Sequence, residues 1–360
     1  MALGLSHGGT TIYSGAARSN EVWVGTRDGI VVIERSATGW RIARRMLEDK
    51  HISAIVTEPK SGLTFAGAFE GSLHVTADDG NTWETRSNGL TEHDVYSIAA
   101  ILNDGGVRLY LGTEPAHLFC SDDLGLQWRE LPGLRALPSV PKWKFPVPPH
   151  IAHAKNITYH PSDPKAIYVC IEVGALLRSR DGGESWEQLD GVYEDVHRMQ
   201  IHPREPNKFY VVTGHGLYAT IDGGKNFEEW VSRPSPIAGY PDGLVIHPRN
   251  PDLMFMSAAD TGPGTWMKSH YAGAKISRSS DGGRTWEMLQ NGLPERMQAS
   301  IEALCLEDAG ESVSLFAATT AGDVYNSDDA GEHWSKIIGG LAPISKGGHY
   351  RALTVAENAA

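Results

Sequence analysis

The sequence predicts an all-β protein, a seven-bladed β-propeller with four antiparallel strands in each blade. Three features predict this fold: an octapeptide that recurs six times, a turn pentapeptide that recurs three times, and apolar runs of strand length between them. Self-similarity at a period of about 20–50 residues is the signature of a repeat architecture. Because each repeat buries its apolar faces against its neighbours, we expect the repeats to close into one ring.

The octapeptide has the pattern Ser/Thr-x-Asp-x-Gly-x-x-aromatic, and each copy follows a short apolar run. The copies are TADDGNTW (76–83), SDDLGLQW (121–128), SRDGGESW (179–186), TIDGGKNF (220–227), SSDGGRTW (279–286) and SDDAGEHW (327–334). We expect the aspartate to accept backbone N–H groups within a tight turn and the glycine to adopt a positive φ. A residue that recurs in every repeat has a structural role, so these aspartates are not expected to be catalytic.

These octapeptides resemble the Asp-box, or BNR repeat, of the sialidase-like β-propellers. That superfamily includes xyloglucan-active glycosidases (xyloglucanases), sortilin-type receptor domains and photosystem assembly factors. The resemblance covers nearly the whole chain and implies the propeller fold. It implies no single function, because this fold carries many unrelated activities.

Two further apolar runs lie upstream of the short run that precedes each octapeptide, and a polar–apolar stretch follows the octapeptide. Each unit therefore contains four strands, A to D, with the octapeptide between C and D. We expect a single propeller domain over residues 1–360. Its blades are predicted at about 21–45 plus 349–356, 51–90, 93–132, 153–190, 197–232, 242–290 and 300–338. The C-terminal sequence HYRALTVA (349–356) is expected to add strand A to the N-terminal blade and close the ring.

Charge and composition restrict the partners of the protein. The 360 residues include 44 acidic and 32 basic side chains, which gives a net charge of −12 with histidine neutral. An acidic balance argues against nucleic acid or an anionic membrane surface as a partner. The three cysteines form no CxxC pair, and the sequence shows no signal peptide and no apolar stretch long enough to span a membrane. We expect a cytoplasmic protein that acts on a small-molecule substrate, and the sequence leaves its oligomeric state open.

Two long insertions fall on one face of the predicted ring. They are residues 131–150, between a strand D and the next strand A, and residues 261–273, between strands B and C. These two kinds of connection emerge on the same face, which we call the loop-rich face, and long loops on a rigid scaffold often carry function. We expect the insertions to contribute a substrate-binding wall, with packing of the loops as the alternative. The residues concerned are Trp143, Phe145, Trp266, His270 and Tyr271.

Histidines predict a metal site near the axis. His51, His153 and His349 each occupy the first position of a predicted strand A on the loop-rich face. Because the innermost strands surround the axis, these imidazoles could bind a divalent ion such as Zn, Fe, Mn or Cu, with no other cofactor expected. The alternative is that they point between blades, or line a channel that holds only water. Three other histidines precede proline in A–B turns on the opposite face, where we expect them to stabilise the turns: His160, His202 and His247.

Carboxylates and arginines near the same face complete the predicted site. The catalytic candidates are Glu114, Glu172 and Asp260 at the ends of strands B, together with His197. They could complete a coordination shell or act as general base. The substrate carboxylate could be held by Arg27, Arg198 and Arg351.

The favoured function is an enzyme that acts on a small organic molecule in an axial polar pocket. The expected chemistry is hydrolysis or elimination assisted by a metal or by a histidine–carboxylate pair. One alternative, which the resemblance suggests, is a glycoside hydrolase that uses Glu114 and Glu172 as its two carboxylates. The other alternative is a non-catalytic binding or assembly propeller.

Overall fold

The computed structural model describes residues 2–103, 106–146 and 148–353. Its strands form seven sheets, six of four strands and one of five, so the predicted seven-bladed β-propeller is confirmed. Blades are numbered here in chain order, and A to D denote the four strands of a blade in their order within the sheet. Among the described residues, no helix is long and apolar enough to cross a membrane.

The first four blades use residues 3–189. Blade 1 contains β1 (Leu3–Leu5), β3 (Glu21–Thr26), β4 (Gly29–Ser36) and β5 (Gly39–Met46). Blade 2 contains β6 (His51–Thr57), β7 (Thr64–Phe69), β8 (Ser72–Thr76) and β9 (Glu84–Thr85). Blade 3 contains β10 (Asp94–Asn103), β11 (Gly106–Glu114), β12 (Leu118–Ser121) and β13 (Arg129–Glu130). Blade 4 contains β14 (His153–His160), β15 (Asp163–Glu172), β16 (Ala175–Ser179) and β17 (Glu187–Leu189).

The remaining blades complete the ring. Blade 5 contains β18 (Val196–Ile201), β19 (Phe209–Thr213), β20 (Gly216–Thr220) and β21 (Glu228–Ser232). Blade 6 contains β22 (Tyr240–Ile246), β23 (Met254–Ala259), β24 (Lys275–Ser279) and β25 (Glu287–Leu289). Blade 7 contains β26 (Ile301–Ala309), β27 (Ser312–Thr319), β28 (Val324–Ser327) and β29 (Ser335–Ile338), with β2 (Ile12–Gly15) as an additional strand. The helices of the described residues are α1 (Pro263–Ser269) and two 3₁₀ helices, Val140–Lys142 and His349–Ala352.

The expected closure of the ring by the C-terminal strand is wrong. Strand A of blade 1 is the N-terminal strand β1, which pairs in parallel with β3. Leu3 and Leu5 are 1 % and 0 % exposed and pack in one core with residues of blades 1 and 7, so burial of this N-terminal segment fills the strand A position. Residues 349–352 form a 3₁₀ helix instead of a strand, and residues 354–356 of the predicted strand lie outside the described residues.

The octapeptides form the predicted turns between strands C and D. In blade 4, Ser179 Oγ donates to Asp181 Oδ1 at 2.7 Å, and the same carboxylate oxygen accepts the N–H of Ser185 at 2.9 Å. Gly183 has a φ of +99° and donates its N–H to Ser179 Oγ at 2.8 Å. The aspartates of the other five octapeptides accept the equivalent N–H group. These aspartates therefore stabilise turns, as predicted.

The three repeated histidines of the A–B turns also have the predicted structural role. Nδ1 of His202 accepts the N–H groups of Arg204 and Glu205 at 3.3 and 3.0 Å. Nδ1 of His160 and of His247 accepts backbone N–H groups in the same way.

Each strand A of blades 2 to 7 contains a β-bulge close to its first residue. In blade 4, Ala154 pairs with Ile171 and Asn156 pairs with Cys170, which leaves Lys155 as the extra residue between them. A bulge bends its strand and changes the direction of the extra side chain. We call these extra residues the bulge residues: Ser53, Tyr96, Lys155, His197, Asp242 and Glu302.

Candidate functional site

Buried ionisable side chains from blades 4 to 7 meet near the starts of the A strands. The C-terminal segment contributes two more such residues. We call this set the axial cluster: His153, Lys155, Glu172, Asp195, His197, Asp242, Glu302, Lys346 and His349. Every member is at most 8 % exposed, so the charges must neutralise one another inside the protein.

The imidazole of His153 lies between two carboxylates. Its Nε2 is 2.5 Å from Oε2 of Glu172, and its Nδ1 is 3.1 Å from Oε2 of Glu114. Burial alone would lower the pKa of His153, but the charges of Glu172 and Glu114 raise it above the usual value. His153 and Glu172 are direct cross-strand partners, because the first residue of β14 pairs with the last residue of β15.

Two buried lysines compensate the carboxylates. Nζ of Lys155 lies 3.1 Å from Glu172 Oε1 and 2.5 Å from Asp242 Oδ1. Nζ of Lys346 donates to the same Asp242 oxygen at 2.7 Å and lies 3.5 Å from Glu172 Oε1. Burial would raise the pKa of Glu172 and of Asp242, but the two ammonium groups lower both well below their usual values. Both carboxylates are therefore ionised at neutral pH.

His349 reaches the cluster from the C-terminal 3₁₀ helix. Glu302 Oε2 anchors the chain just before this helix, since it accepts the N–H of Lys346 at 2.8 Å and the hydroxyl of Ser345 at 3.0 Å. Glu302 Oε1 lies 3.9 Å from Nδ1 of His349, and Phe145 stacks on the imidazole with ring centroids 5.0 Å apart. Burial lowers the pKa of His349 well below its usual value, so the ring is neutral and available as a ligand.

Two groups of side chains within the cluster could hold a metal ion. The first consists of His153, Glu172 and His349, and the second of Glu172, Asp195 and His197. In each group the possible ligand atoms lie within 4.8 Å of one another. Nitrogen and carboxylate ligands of this kind suit Zn, Fe, Mn and Cu. Glu172 belongs to both groups, with one oxygen directed towards each.

His51 does not join either of these groups. It does begin strand A of blade 2, as predicted, but its Nε2 lies 2.9 Å from the carbonyl oxygen of Ser345. The ring lines an open polar cavity of about 290 Å³ beside the C-terminal segment. The cavity is lined by Arg27, Asp28, Asp49, Lys50, His51, Phe69, Glu70, Tyr350 and Arg351. Two of the arginines predicted to bind substrate therefore lie with His51 in this cavity.

Other predicted site residues lie apart from the two ligand groups. Asp260 forms an ion pair with Lys275 and is about half exposed. Arg198 is buried and donates to the carbonyl oxygen of His7. Their predicted roles in catalysis and substrate binding stay predictions.

The aromatic residues of the two insertions have different positions. Trp143 packs in a core that spans blades 3 and 4, and Trp266 on α1 packs against Tyr240, with ring centroids 6.0 Å apart. Both tryptophans are buried, as the packing alternative expects, whereas Phe145 contacts the axial cluster. His270 is the C-cap residue of α1 and has a φ of +49°. The guanidinium group of Arg296 lies over the ring of Tyr271. Contact of any of these residues with a substrate stays a prediction.

Five members of the cluster were absent from the predicted site: Lys155, Asp242, Glu302, Lys346 and Asp195. The first three are bulge residues, each a single ionisable residue within or beside an apolar run of a predicted strand A. Alignment of the A strands on these interrupting residues, instead of on their first residues, would have identified them. Lys346 follows β29, and no repeat pattern in the sequence marks it.

The chain matches the family model described as sortilin, neurotensin receptor 3, over residues 174–308. It is 28 % identical over 168 residues to xyloglucanase Xgh74A of Acetivibrio thermocellus, a match that covers 37 % of this chain and 19 % of the relative. The chain thus aligns with only about a fifth of the length of that relative.

Solved structures confirm the fold. The GH74 enzyme of Niastella koreensis superposes with a TM-score of 0.63 at 15 % identity, over 92 % of this chain and 54 % of that one. YCF48 bound to D1 peptide superposes with a TM-score of 0.51 at 19 % identity, over 77 % of both chains. The predicted resemblance to sortilin-type and xyloglucanase-type propellers is therefore confirmed. At this level of identity the solved structures establish the fold and not the activity.

Proposed function

We propose that this propeller is a metal-dependent hydrolase of small organic molecules, with the metal held by His153, Glu172 and His349. The observation that carries the proposal is the environment of the two imidazoles. Nδ1 of His153 faces Glu114 at 3.1 Å, and Nδ1 of His349 faces Glu302 at 3.9 Å. Histidines that bind metals typically direct their second nitrogen at a carboxylate, which orients the ring and increases its basicity.

Two imidazoles and one carboxylate are the ligands of several hydrolytic zinc sites, which keep a further position for water or substrate. A metal in such a site lowers the pKa of its bound water to about 7 and polarises a substrate oxygen. The open cavity beside Tyr350 is the proposed substrate entrance, because Tyr350 is the next residue after His349. Its lining contains three basic residues, Arg27, Lys50 and Arg351, and three acidic ones, Asp28, Asp49 and Glu70, which favours a polar substrate without selecting its charge.

Metal analysis and activity screening test this proposal together. The purified protein is incubated separately with Zn²⁺, Fe²⁺, Mn²⁺ and Cu²⁺, desalted and analysed for bound metal. A panel of esters, lactones, amides, phosphate esters and aryl glycosides is then screened. We expect His349→Ala to lose one equivalent of metal and the hydrolytic activity, and His160→Ala, in a turn on the opposite face, to lose neither. If His153→Ala and His349→Ala bind as much of every ion as the unaltered protein, the proposal is wrong.

A glycoside hydrolase is the second candidate, favoured by the similarity to a xyloglucanase and to GH74 enzymes. Glycosidases place two carboxylates on either side of the scissile bond, about 5–9.5 Å apart. The imidazole of His153 fills the space between Glu114 and Glu172, so this candidate requires a different pair of carboxylates. Hydrolysis of an aryl glycoside that His349→Ala leaves unchanged would favour it over the metal-dependent hydrolase.

A further inference from the structure

We infer that the axial cluster binds a second divalent ion, held by Glu172, Asp195 and His197, and that Glu172 bridges the two ions. This inference rests on the proposed function, since it makes the proposed centre dinuclear. The ligand class is a transition-metal ion that accepts mixed imidazole and carboxylate ligands. The bridging geometry follows from Glu172, whose Oε2 faces His153 and whose Oε1 faces His197.

His197 Nε2 lies at the spacing of a coordination shell from both carboxylates, and the possible ligand atoms of all three residues lie within 4.8 Å of one another. His197 Nε2 lies 3.1 Å from Asp195 Oδ1 and 3.6 Å from Glu172 Oε1. Atoms bonded to one metal at about 2.0–2.2 Å, in tetrahedral or octahedral directions, lie about 2.8–3.6 Å from each other. Two of the three distances between ligand atoms therefore already match those around a bound ion.

Within the described part of the chain, Nε2 of His197, Oδ1 of Asp195 and Oε1 of Glu172 make no hydrogen bond of good geometry, although all three are buried. Glu172 Oε1 does lie 3.1 Å from Lys155 Nζ and 3.5 Å from Lys346 Nζ. Buried polar atoms are normally satisfied, and leaving one unpaired costs about 1–3 kcal/mol. A bound cation would supply a partner for His197 Nε2 and Asp195 Oδ1.

Hydrogen bonds to the other side-chain atoms of His197 and Asp195 hold these two side chains in the orientation that a metal ligand needs. Nδ1 of His197 donates to the carbonyl oxygen of Pro241 at 2.6 Å, so Nε2 carries the lone pair when the ring is neutral. The hydroxyl of Tyr240 donates to Oδ2 of Asp195 at 3.1 Å, which leaves Oδ1 directed towards His197. Such contacts to the outer atoms of ligands fix a metal site before the ion arrives.

The ammonium groups of Lys155 and Lys346 compete with an ion for Glu172 Oε1, since they lie 3.1 and 3.5 Å from it. A carboxylate oxygen has two lone pairs and can contact an ammonium group and a metal together. Lys155 also contacts Asp242 at 2.5 Å, so it keeps a partner when Glu172 binds a metal.

Mn²⁺ titration with electron paramagnetic resonance tests the inference on the full chain. We expect about two tightly bound equivalents and the spectrum of an exchange-coupled pair, because a carboxylate bridge places two ions within about 4 Å. His197→Ala and the isosteric Asp195→Asn should each bind one equivalent and show the spectrum of an isolated ion. His215→Ala, on the surface of the same blade, is the control and should match the unaltered protein. Thermal unfolding verifies that each variant is folded.

The outcomes separate this inference from the proposed function. If the unaltered protein binds a single equivalent, and only His349→Ala loses it while His197→Ala and Asp195→Asn keep it, the second metal site is wrong and the first one stands. If the unaltered protein binds a single equivalent that His197→Ala loses and His349→Ala keeps, both the dinuclear centre and the first metal site are wrong. If the protein binds two equivalents of Mn²⁺ but the spectrum shows no exchange coupling, Glu172 does not bridge the two ions.

Discussion

The Nε2 atom of His153 and the Oε2 atom of Glu172 lie 2.5 Å apart, with both side chains at most 1 % exposed. They are brought together by strand pairing, because β14 begins where β15 ends. This buried contact is the centre of the axial cluster, and the other charges are arranged around it.

Removal of the charge on Glu172 should strongly destabilise the metal-free protein. In Glu172→Gln, Lys155 and Lys346 lose a buried carboxylate, and breaking a buried ion pair costs about 3–5 kcal/mol. Urea unfolding in the presence of a chelator measures the effect. Glu184→Gln is the control, because its pair with Arg129 is exposed and should contribute less than about 1 kcal/mol. Equal unfolding midpoints for the two variants would contradict the prediction.

Glu302 should act as a positioning residue for His349. Burial raises the pKa of Glu302 to about 7. In Glu302→Gln the imidazole no longer faces this carboxyl group, and such changes typically weaken metal binding by about 10- to 100-fold. Competition with a chromophoric chelator measures the dissociation constant. Glu307→Gln, on the same strand but hydrogen-bonded to Ser19, should bind metal normally. A role limited to stability would lower the melting temperature of Glu302→Gln and leave its metal affinity unchanged.

The octapeptide turns should make the fold sensitive to acid. Hydrogen bonds from Ser185 and Ser179 lower the pKa of Asp181 to about 2, and the other five aspartates shift in the same direction. A lowered pKa stabilises the folded state above the ordinary aspartate pKa, and this stabilisation is lost as the pH falls from about 4 to about 2. Melting temperatures of the unaltered protein and Asp181→Asn should therefore differ at neutral pH and converge near pH 2. A difference that is constant with pH would show that the carboxylate charge is unimportant.

Trp266 should hold the C-terminal segment in place. Its ring packs with Tyr240, Ala352 and Leu353, so Trp266→Ala should cost about 3–5 kcal/mol through the cavity that it leaves. The neighbouring Met267 is 45 % exposed, and Met267→Ala should change stability by less than about 0.5 kcal/mol. Limited proteolysis should also cut the C-terminal segment of Trp266→Ala faster. Protection of this segment equal to that in Met267→Ala would count against a role for Trp266 in anchoring it.

Much of the fold could be predicted from the sequence because the repeated residues act locally. An aspartate and a glycine at fixed spacing define each C–D turn, and the apolar runs on either side define the strands. The closure of the ring could not be predicted in the same way. Both LGL at the N-terminus and HYRALTVA at the C-terminus are compatible with a strand, and competition for one sheet position is decided only when both are present.

The sequence by itself determined the number of blades, the turns and the face on which His153, Glu114 and Glu172 lie. Only the tertiary structure decided which side chains share the axial cluster. The β-bulges direct Lys155, Asp242 and Glu302 there, and the C-terminal helix adds His349 while His51 lines the adjacent cavity. The physical reason is that turn formation depends on neighbouring residues, whereas burial of charge depends on opposite charges supplied by distant parts of the chain.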